Sequence, residues 1–337
     1  MTIFVNMQAM DSSSEKQMID AVLPWVDGHD PALVAKRAPY VSGDALTNQA
    51  VGGSGRYMSV GEVRYCVASL LRFAPFIRKI FIVTDSQDPG LGPMLRACFP
   101  EREGDVVIVD HRVIFRGREE ALPTFNSNSI DTLIWNIPDL SERFIYLNDD
   151  FMLVRPTVPE DYFRGNSVLC YADRYPAWFE RLLTRLRPGR IGYKASMLRA
   201  LDLMGGGSHF INLGHAPCPM LKSWFERWAS ERPDMVALNL RDKFRHVDQF
   251  EAQEPFYLDI ERQGRLVLVS NRSAAMCFNG RDSLDYVDRK LREFSADRTR
   301  KFVCFNALNL CPEEGISRVL AWLDERIAKI SDTPCGL

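Results

Sequence analysis

Two hydrophobic patterns alternate along the first half of the chain. Short apolar runs at Ile19–Val26 (IDAVLPWV), Ile80–Val83, Val106–Val109 and Phe144–Leu147 read as buried strands. Pro24 lacks a backbone N–H, so the first ladder is expected to end there. Between the runs, Val60, Val63, Val67, Leu70 and Leu71 recur at helical spacing over Ser59–Phe73, and Ser59 with Glu62 three residues on reads as a capping box. Ser129–Ile137 reads as a shorter helix. Strand–helix alternation predicts an α/β fold, a Rossmann-like and mainly parallel sheet with helices on both faces.

Past Val154 the pattern changes. Trp178–Met204 is rich in Arg and Leu, broken at Pro188-Gly189 and closed by Gly205-Gly206-Gly207. Leu221, Trp224, Phe225 and Trp228 form a helical packing stripe, and Ile316–Ile330 is an amphipathic helix that closes the fold. The expected organisation is a loose terminus over 1–17, an α/β core over 18–165, an Arg-rich helical insertion over 166–210 and a mostly helical remainder over 211–337 that completes fold and site.

Parallel sheets bind ligands beyond the carboxyl ends of their strands. The residues there are Trp25-Val26-Asp27-Gly28, Thr84-Asp85, Asp110-His111 and Asn148-Asp149-Asp150, so every exit carries an acid. Loops are polar in any protein, but four acidic exits point to one shared cleft. Adjacent carboxylates at the end of a buried strand are costly without a cation or a proton to offset them. Asp149 and Asp150 are therefore the prime candidates for charge chemistry, facing a loop with Asn126-Ser127-Asn128.

Composition narrows the field. A chain of 337 residues with a formal charge of -2 has the size for a substantial core and none of the basic excess of a nucleic-acid binder. No apolar run is long enough to cross a bilayer, and MTIFVNMQAM makes a poor signal peptide. The 8 cysteines are scattered with no CxxC pair, which excludes a zinc ribbon and suits a reducing cytoplasm.

Specific blocks of sequence carry a resemblance. Ile19-Asp20-Ala21-Val22-Leu23-Pro24-Trp25-Val26-Asp27-Gly28-His29-Asp30-Pro31 is similar to the opening signature of the Stealth family. A second block runs from Arg56-Tyr57 through Gly61-Glu62-Val63-Arg64-Tyr65, Ala74–Asp85 and Leu122–Asn128 to Asn148-Asp149-Asp150. A third is Gly214-His215-Ala216-Pro217 followed by Phe244-Arg245-His246 and Phe256-Tyr257-Leu258; a fourth, Lys301–Asn306, is partial, because Ala307 stands where the family usually has an acid. The family comprises sugar-1-phosphate transferases of bacterial capsule synthesis and the animal enzyme that tags lysosomal proteins with GlcNAc-1-phosphate.

That resemblance implies a nucleotide-binding sheet of the GT-A glycosyltransferase type. It also implies a UDP-sugar donor such as UDP-GlcNAc, a glycan or growing polysaccharide acceptor, and release of UMP as a phosphodiester forms. Asp149 and Asp150 are then expected to hold Mg2+ or Mn2+, with Asn148 as a neutral ligand; Asp150 has the alternative role of base towards the acceptor hydroxyl. His215 is the expected general base and Arg245 the expected phosphate clamp, with His246 orienting it or merely packing.

Asn126, Ser127 and Asn128 are expected at the diphosphate or sugar hydroxyls, although such residues also cap helices. Trp25, Asp27, Gly28 and Asp85 would line the nucleotide pocket, Arg56 would reach a phosphate, and Asn306 would sit on the donor side. Glu62 reads as a cap, and Arg64 as a residue that reaches the cleft or pairs with a carboxylate. The Arg-rich segment suits an anionic polymer, a membrane surface beside the capsule machinery at the inner face, or plain solvent. Two other functions fit the same residues: a glycosyltransferase that releases UDP, and a non-catalytic glycan-binding protein.

Overall fold

The computed structural model describes residues 18–41, 57–187 and 192–328. Its central sheet contains β1 (Ile19–Pro24), β2 (Ile77–Thr84), β3 (Val106–Asp110) and β4 (Arg143–Tyr146). A short β5 (Phe151–Leu153) follows, then β6 (Phe163–Arg164), β7 (Ser167–Pro176), β8 (His209–Leu213) and β9 (Cys218–Leu221), and finally β10 (Leu266–Val269), β11 (Ala275–Asn279) and β12 (Phe302–Asn306).

The central order is β3-β2-β1-β4-β9. The first four strands are parallel and β9 runs antiparallel beside β4, which confirms the Rossmann-like α/β expectation. Ala21, Val22 and Leu23 of β1 are completely buried, as a strand covered on both faces requires, whereas β3 is an edge where Ile108 is exposed. Helix Glu62–Phe73 buries Val63, Tyr65, Cys66, Val67, Leu70 and Leu71 against the sheet.

Two smaller sheets complete the structure: β10-β7-β6, with β8 paired to β7, and β11-β12-β5. One contiguous core runs from Ile19 to Ile327 through all three sheets. The stripe of Trp224, Phe225 and Trp228 is buried on helix Lys222–Glu231, as its spacing predicts. The Arg-rich region begins differently from its expectation. Residues 167–176 form β7, and the helices start only at Ala177 (Ala177–Leu186) and Tyr193 (Tyr193–Leu203).

Candidate active site

The sheet topology places the site. After β4 the chain leaves the central sheet through Leu147-Asn148-Asp149-Asp150 and enters β5, which pairs antiparallel with β12. The two acids therefore lie at the junction of two sheets. Strand β9 pairs antiparallel with β4, Tyr146 opposite Cys218, so the turn that precedes β9 arrives at the carboxyl end of β4. That turn carries His215, and the two parts of the chain meet.

Among the described residues, no cationic side chain forms an ion pair with the carboxylates there. Burial, then the neighbouring Asp150 and Glu62 charges, pushes Asp149 well above the carboxylate range. Asp150 is pushed to about 6, mainly by burial and then by Glu62, against a lowering hydrogen bond from Cys304. Its Oδ2 accepts from the Cys304 thiol at 3.5 Å, while its Oδ1 is buried with no partner. Glu62 is buried as well, and its Oε2 accepts from the backbone N–H of Val60 at 2.7 Å and the Ser59 hydroxyl at 3.2 Å. Three mutually repelling carboxylates and an orphaned oxygen suit a divalent cation.

Glu62 thus differs from its expected role. Gly61, in the left-handed region at φ 95°, takes the helix N-cap position, so Glu62 turns back onto Ser59 and Val60 and its charge faces the Asp149–Asp150 pair.

His215 stands edge-on to Phe151, ring centroids 5.9 Å apart, with its rim reaching solvent. Burial of part of the ring lowers its pKa from the ordinary imidazole value, which favours the neutral form that can accept a proton. One of its ring nitrogens lies within 4.8 Å of the Cys277 and Cys304 sulfurs.

A second wall comes from helix Ser127–Leu133. Both Nε and Nη2 of Arg245 donate to the Ser127 hydroxyl, at 3.1 and 2.6 Å. Arg245 forms no ion pair among the described residues, its guanidinium being held by the neutral Ser127 hydroxyl. Further along that helix Asp131 is buried and pushed to about 7, chiefly by burial and then by Glu251, with Arg245 among the opposing influences. The Tyr146 hydroxyl links the wall to the acidic strand end, bonding Asp131 at 3.1 Å and Asn148 Oδ1 at 2.9 Å.

Other expected site residues turn out to be engaged in structure. Asn126 is completely buried; its Oδ1 caps the helix through Asn128 N–H, and its Nδ2 donates to Asp242 O, Phe244 O and Gln249 Oε1. With those groups occupied it pins the Arg245 loop in place and has no donor left for a phosphate. Asn128 is also buried, with its Oδ1 unpartnered. Gly28 does permit a close approach, but to protein: its N–H donates to Tyr57 O at 2.6 Å, and a Cβ would sit 2.4 Å from that oxygen. Trp25 is buried, and Asp27 accepts from His29 N–H at 2.9 Å while its own N–H donates to Gln87.

Asp85 pairs with Lys36 at 2.8 Å. His246 leaves Arg245 and joins an exposed cluster, its Nδ1 3.2 Å from Arg241 Nη2 and 3.3 Å from Asp248. Asn306 donates to Asn279 Oδ1 at 2.9 Å across the β11–β12 ladder. Arg64 lies in the first turn of the Glu62 helix. Arg56 lies outside the described residues. Reading by sequence missed Asp131 and the pair Cys277 and Cys304; Asp131 lies close to Asn126-Ser127-Asn128, and the two cysteines share the tripeptide Cys-Phe-Asn, at 277–279 and 304–306.

A mainly parallel sheet with helices on its faces, and with Asp149, Asp150 and His215 brought to the carboxyl end of β4, defines the class as a Rossmann-like α/β protein. Residues 18–45 match Stealth protein conserved region 1, and residues 56–171 match conserved region 2. The chain belongs to the Stealth family.

It is 39% identical over 240 residues to the exopolysaccharide phosphotransferase SCO6023 of Streptomyces coelicolor, a match covering 71% of this chain and 39% of that one. Against the capsular polysaccharide phosphotransferase cps1A of Actinobacillus pleuropneumoniae it is 36% identical over 234 residues, covering 67% of this chain and 60% of the relative. The chain therefore spans only part of the length of these curated relatives. Among solved structures, the galactosyltransferase LgtC aligns over 85% of this chain and 86% of its own at 13% identity and a TM-score of 0.43, so the fold class rests on the strand order itself.

Proposed function

We propose that this protein is an enzyme, a hexose-1-phosphate transferase that moves a sugar-1-phosphate from a UDP-sugar onto a glycan hydroxyl and releases UMP. The observation that carries the reading is that Asp149 and Asp150, with no ion-pair partner among the described residues, meet His215 at the carboxyl end of β4. The names of the relatives support it, since they are phosphotransferases of exopolysaccharide and capsule.

In the proposed step the acceptor oxygen attacks the sugar-linked phosphorus. The bond from that phosphorus to the bridging oxygen breaks, the electron pair leaves with UMP, and the hydroxyl proton passes to His215. Arg245, held by Ser127, neutralises a phosphate through its planar fork. Mg2+ or Mn2+ held by Asp149 and Asp150 would supply further neutralisation of the diphosphate. Of the two residues considered as base, His215 is preferred because Asp150 has its Oδ1 placed for a cation.

A panel of UDP-sugars, assayed with and without Mg2+ or Mn2+, tests this reading. UMP release with a phosphodiester in the glycan is expected. UDP release with a glycosidic bond would establish a conventional glycosyltransferase instead, and glycan binding without turnover a binding protein.

We place the reaction in the cytoplasm, at the inner membrane face. The seven described cysteines are all free thiols, and no described helix is long and apolar enough to cross a membrane. Helix Ala177–Leu186 turns Trp178, Phe179, Leu182 and Leu186 outward beside Arg181 and Arg185, a composition that suits an anionic lipid surface. Retention on anionic vesicles, lost in the double variant Trp178→Ser, Leu186→Ser, is the expected result; equal retention of variant and parent would exclude this face.

A further inference from the structure

Beside the oxygen-rich pair Asp149–Asp150 lies a donor set of different chemistry. In the parallel ladder of β11 and β12, Cys277 stands directly opposite Cys304, and in the antiparallel ladder of β12 and β5, Cys304 stands opposite Phe151, one residue past Asp150. The turn before β9 adds His215. Its ring nitrogen and the two sulfurs all lie within 4.8 Å of one another, and the Cys304 sulfur is 3.5 Å from Asp150 Oδ2. Three chain segments thus bring together one nitrogen and two sulfurs, and the Asp150 carboxylate stands beside them against the Cys304 sulfur.

Tetrahedral zinc takes sulfur at about 2.3 Å and imidazole nitrogen at about 2.0–2.1 Å, which sets donor–donor separations of roughly 3.3–3.8 Å. Contraction of the cluster by about 1 Å would reach that geometry. Mg2+ and Mn2+ select oxygen donors, whereas paired thiolates with imidazole select a thiophilic ion of the zinc class. Asp150 Oδ1, buried and without a partner among the described residues, shows that the carboxyl beside Cys304 has an oxygen left for a cation, whether that ion is bound by oxygen or by sulfur. The exposed edge of His215 and the partial exposure of Cys277 leave a route in from solvent.

We propose that His215, Cys277 and Cys304 form a Zn2+-class site, with Asp150 drawn in from beside Cys304 as fourth ligand, that overlaps the catalytic centre and shuts it off. A coordinated imidazole nitrogen cannot accept the acceptor proton, and Asp150 is drawn away from the oxygen-bound cation. Inhibition rests on the transferase reading above; binding does not. Binding converts both thiols to thiolates and releases their protons.

Co2+ added to the chelator-treated full chain tests binding by spectroscopy. One Co2+ per chain with thiolate charge-transfer absorption is expected, displaced by equimolar Zn2+ and unaffected by a thousandfold excess of Mg2+. Cys277→Ser and Cys304→Ser should each weaken Co2+ affinity at least about a hundredfold, by loss of a ligand, while Cys98→Ser leaves it unchanged. A spectrum without the thiolate band, or a band equally strong in both serine variants, overturns the site. For inhibition, the ratio of rates with and without Zn2+ is measured within each variant in the presence of Mg2+. A Zn2+ inhibition constant raised at least about tenfold in Cys277→Ser is expected. Full turnover with Zn2+ bound overturns the shut-off. If no UDP-sugar is turned over at all, the transferase reading fails by its own test and the Co2+ spectrum still decides the site.

Discussion

The carboxyl ends of β2 and β3 and the carboxyl end of β4 all present aspartates, and the protein treats them in opposite ways. Asp85 is neutralised by Lys36 at 2.8 Å. Asp110 accepts from the Arg112 guanidinium at 2.7 Å and the Ser86 hydroxyl at 2.7 Å, which hold it far below the usual carboxylate range against the opposing effect of burial. Asp149 and Asp150 have no such partners among the described residues; burial drives both upward, with the Asp150 and Glu62 charges adding at Asp149 and the Glu62 charge at Asp150. Residue type and topological position are the same; only the local supply of cations differs. An acid that the fold satisfies is finished structure, whereas one that the fold leaves costly is open to a ligand.

Removing one acid from each group should break the symmetry most visibly in turnover. Asp150→Ala and His215→Ala are each expected to lower the rate of UMP release at least about a hundredfold, the scale of losing a charge-stabilising or acid–base group. Asp110→Asn, at an equivalent strand end, should stay within about threefold of the parent. Comparable losses in Asp110→Asn and Asp150→Ala would show that the whole row of strand ends acts as one site. Near-normal turnover in His215→Ala would remove the imidazole from the proton transfer.

A smaller effect is expected for the cations. Arg245 donates twice to the neutral Ser127 hydroxyl and forms no ion pair among the described residues, whereas Arg112 is committed to Asp110. Arg245→Lys keeps the charge but loses the fork, so the donor KM should rise about tenfold, by the loss of one charge-assisted bond. Arg112→Lys should shift it less than about twofold. Steady-state kinetics on both variants decides, and equal shifts would place Arg245 outside the donor site.

Much of this was legible before any coordinates. The four apolar runs gave the parallel sheet, because a strand buried on both faces has to be apolar along its length, and β1, β2, β3 and β4 all lie where expected. Asp150 was singled out as an acid at a strand exit and His215 from the resemblance, and no pattern in the sequence links positions 65 residues apart. What joins them is the antiparallel pairing of β9 with β4, a tertiary choice that local propensity does not encode. The same limit explains Asn126 and Gly28. Their residue types suit ligand contact, but partners from the 240s loop and from Tyr57 claimed them first. Cys277 and Cys304 showed no spacing signal, since strand register brings them together across 27 positions of sequence.

Stability should carry the mildest trace of the contrast, and its sign is the informative part. The folded-state pKa of Asp150, about 6, lies above its ordinary value of 3.8. A group raised on folding gives its full stabilisation below the ordinary value and loses it as pH climbs through the folded one. In chelator-treated protein, Asp150→Asn should therefore melt close to the parent below pH 4 and about 2–4 °C above it at pH 7. Asp110 is lowered on folding, so its stabilisation is present above the ordinary value and disappears in acid. Asp110→Asn should melt slightly below the parent at pH 7, by about 1–2 °C for a partly exposed pair. Saturating Mg2+ or Mn2+ should erase the advantage of Asp150→Asn, because the parent then gains the ion that its carboxylate was arranged to bind. A variant at Asp150 that is inactive yet more stable than the parent would show directly that the fold tolerates this acid for its chemistry, whereas a destabilised Asp150→Asn at pH 7 would return the residue to the structural group with Asp110.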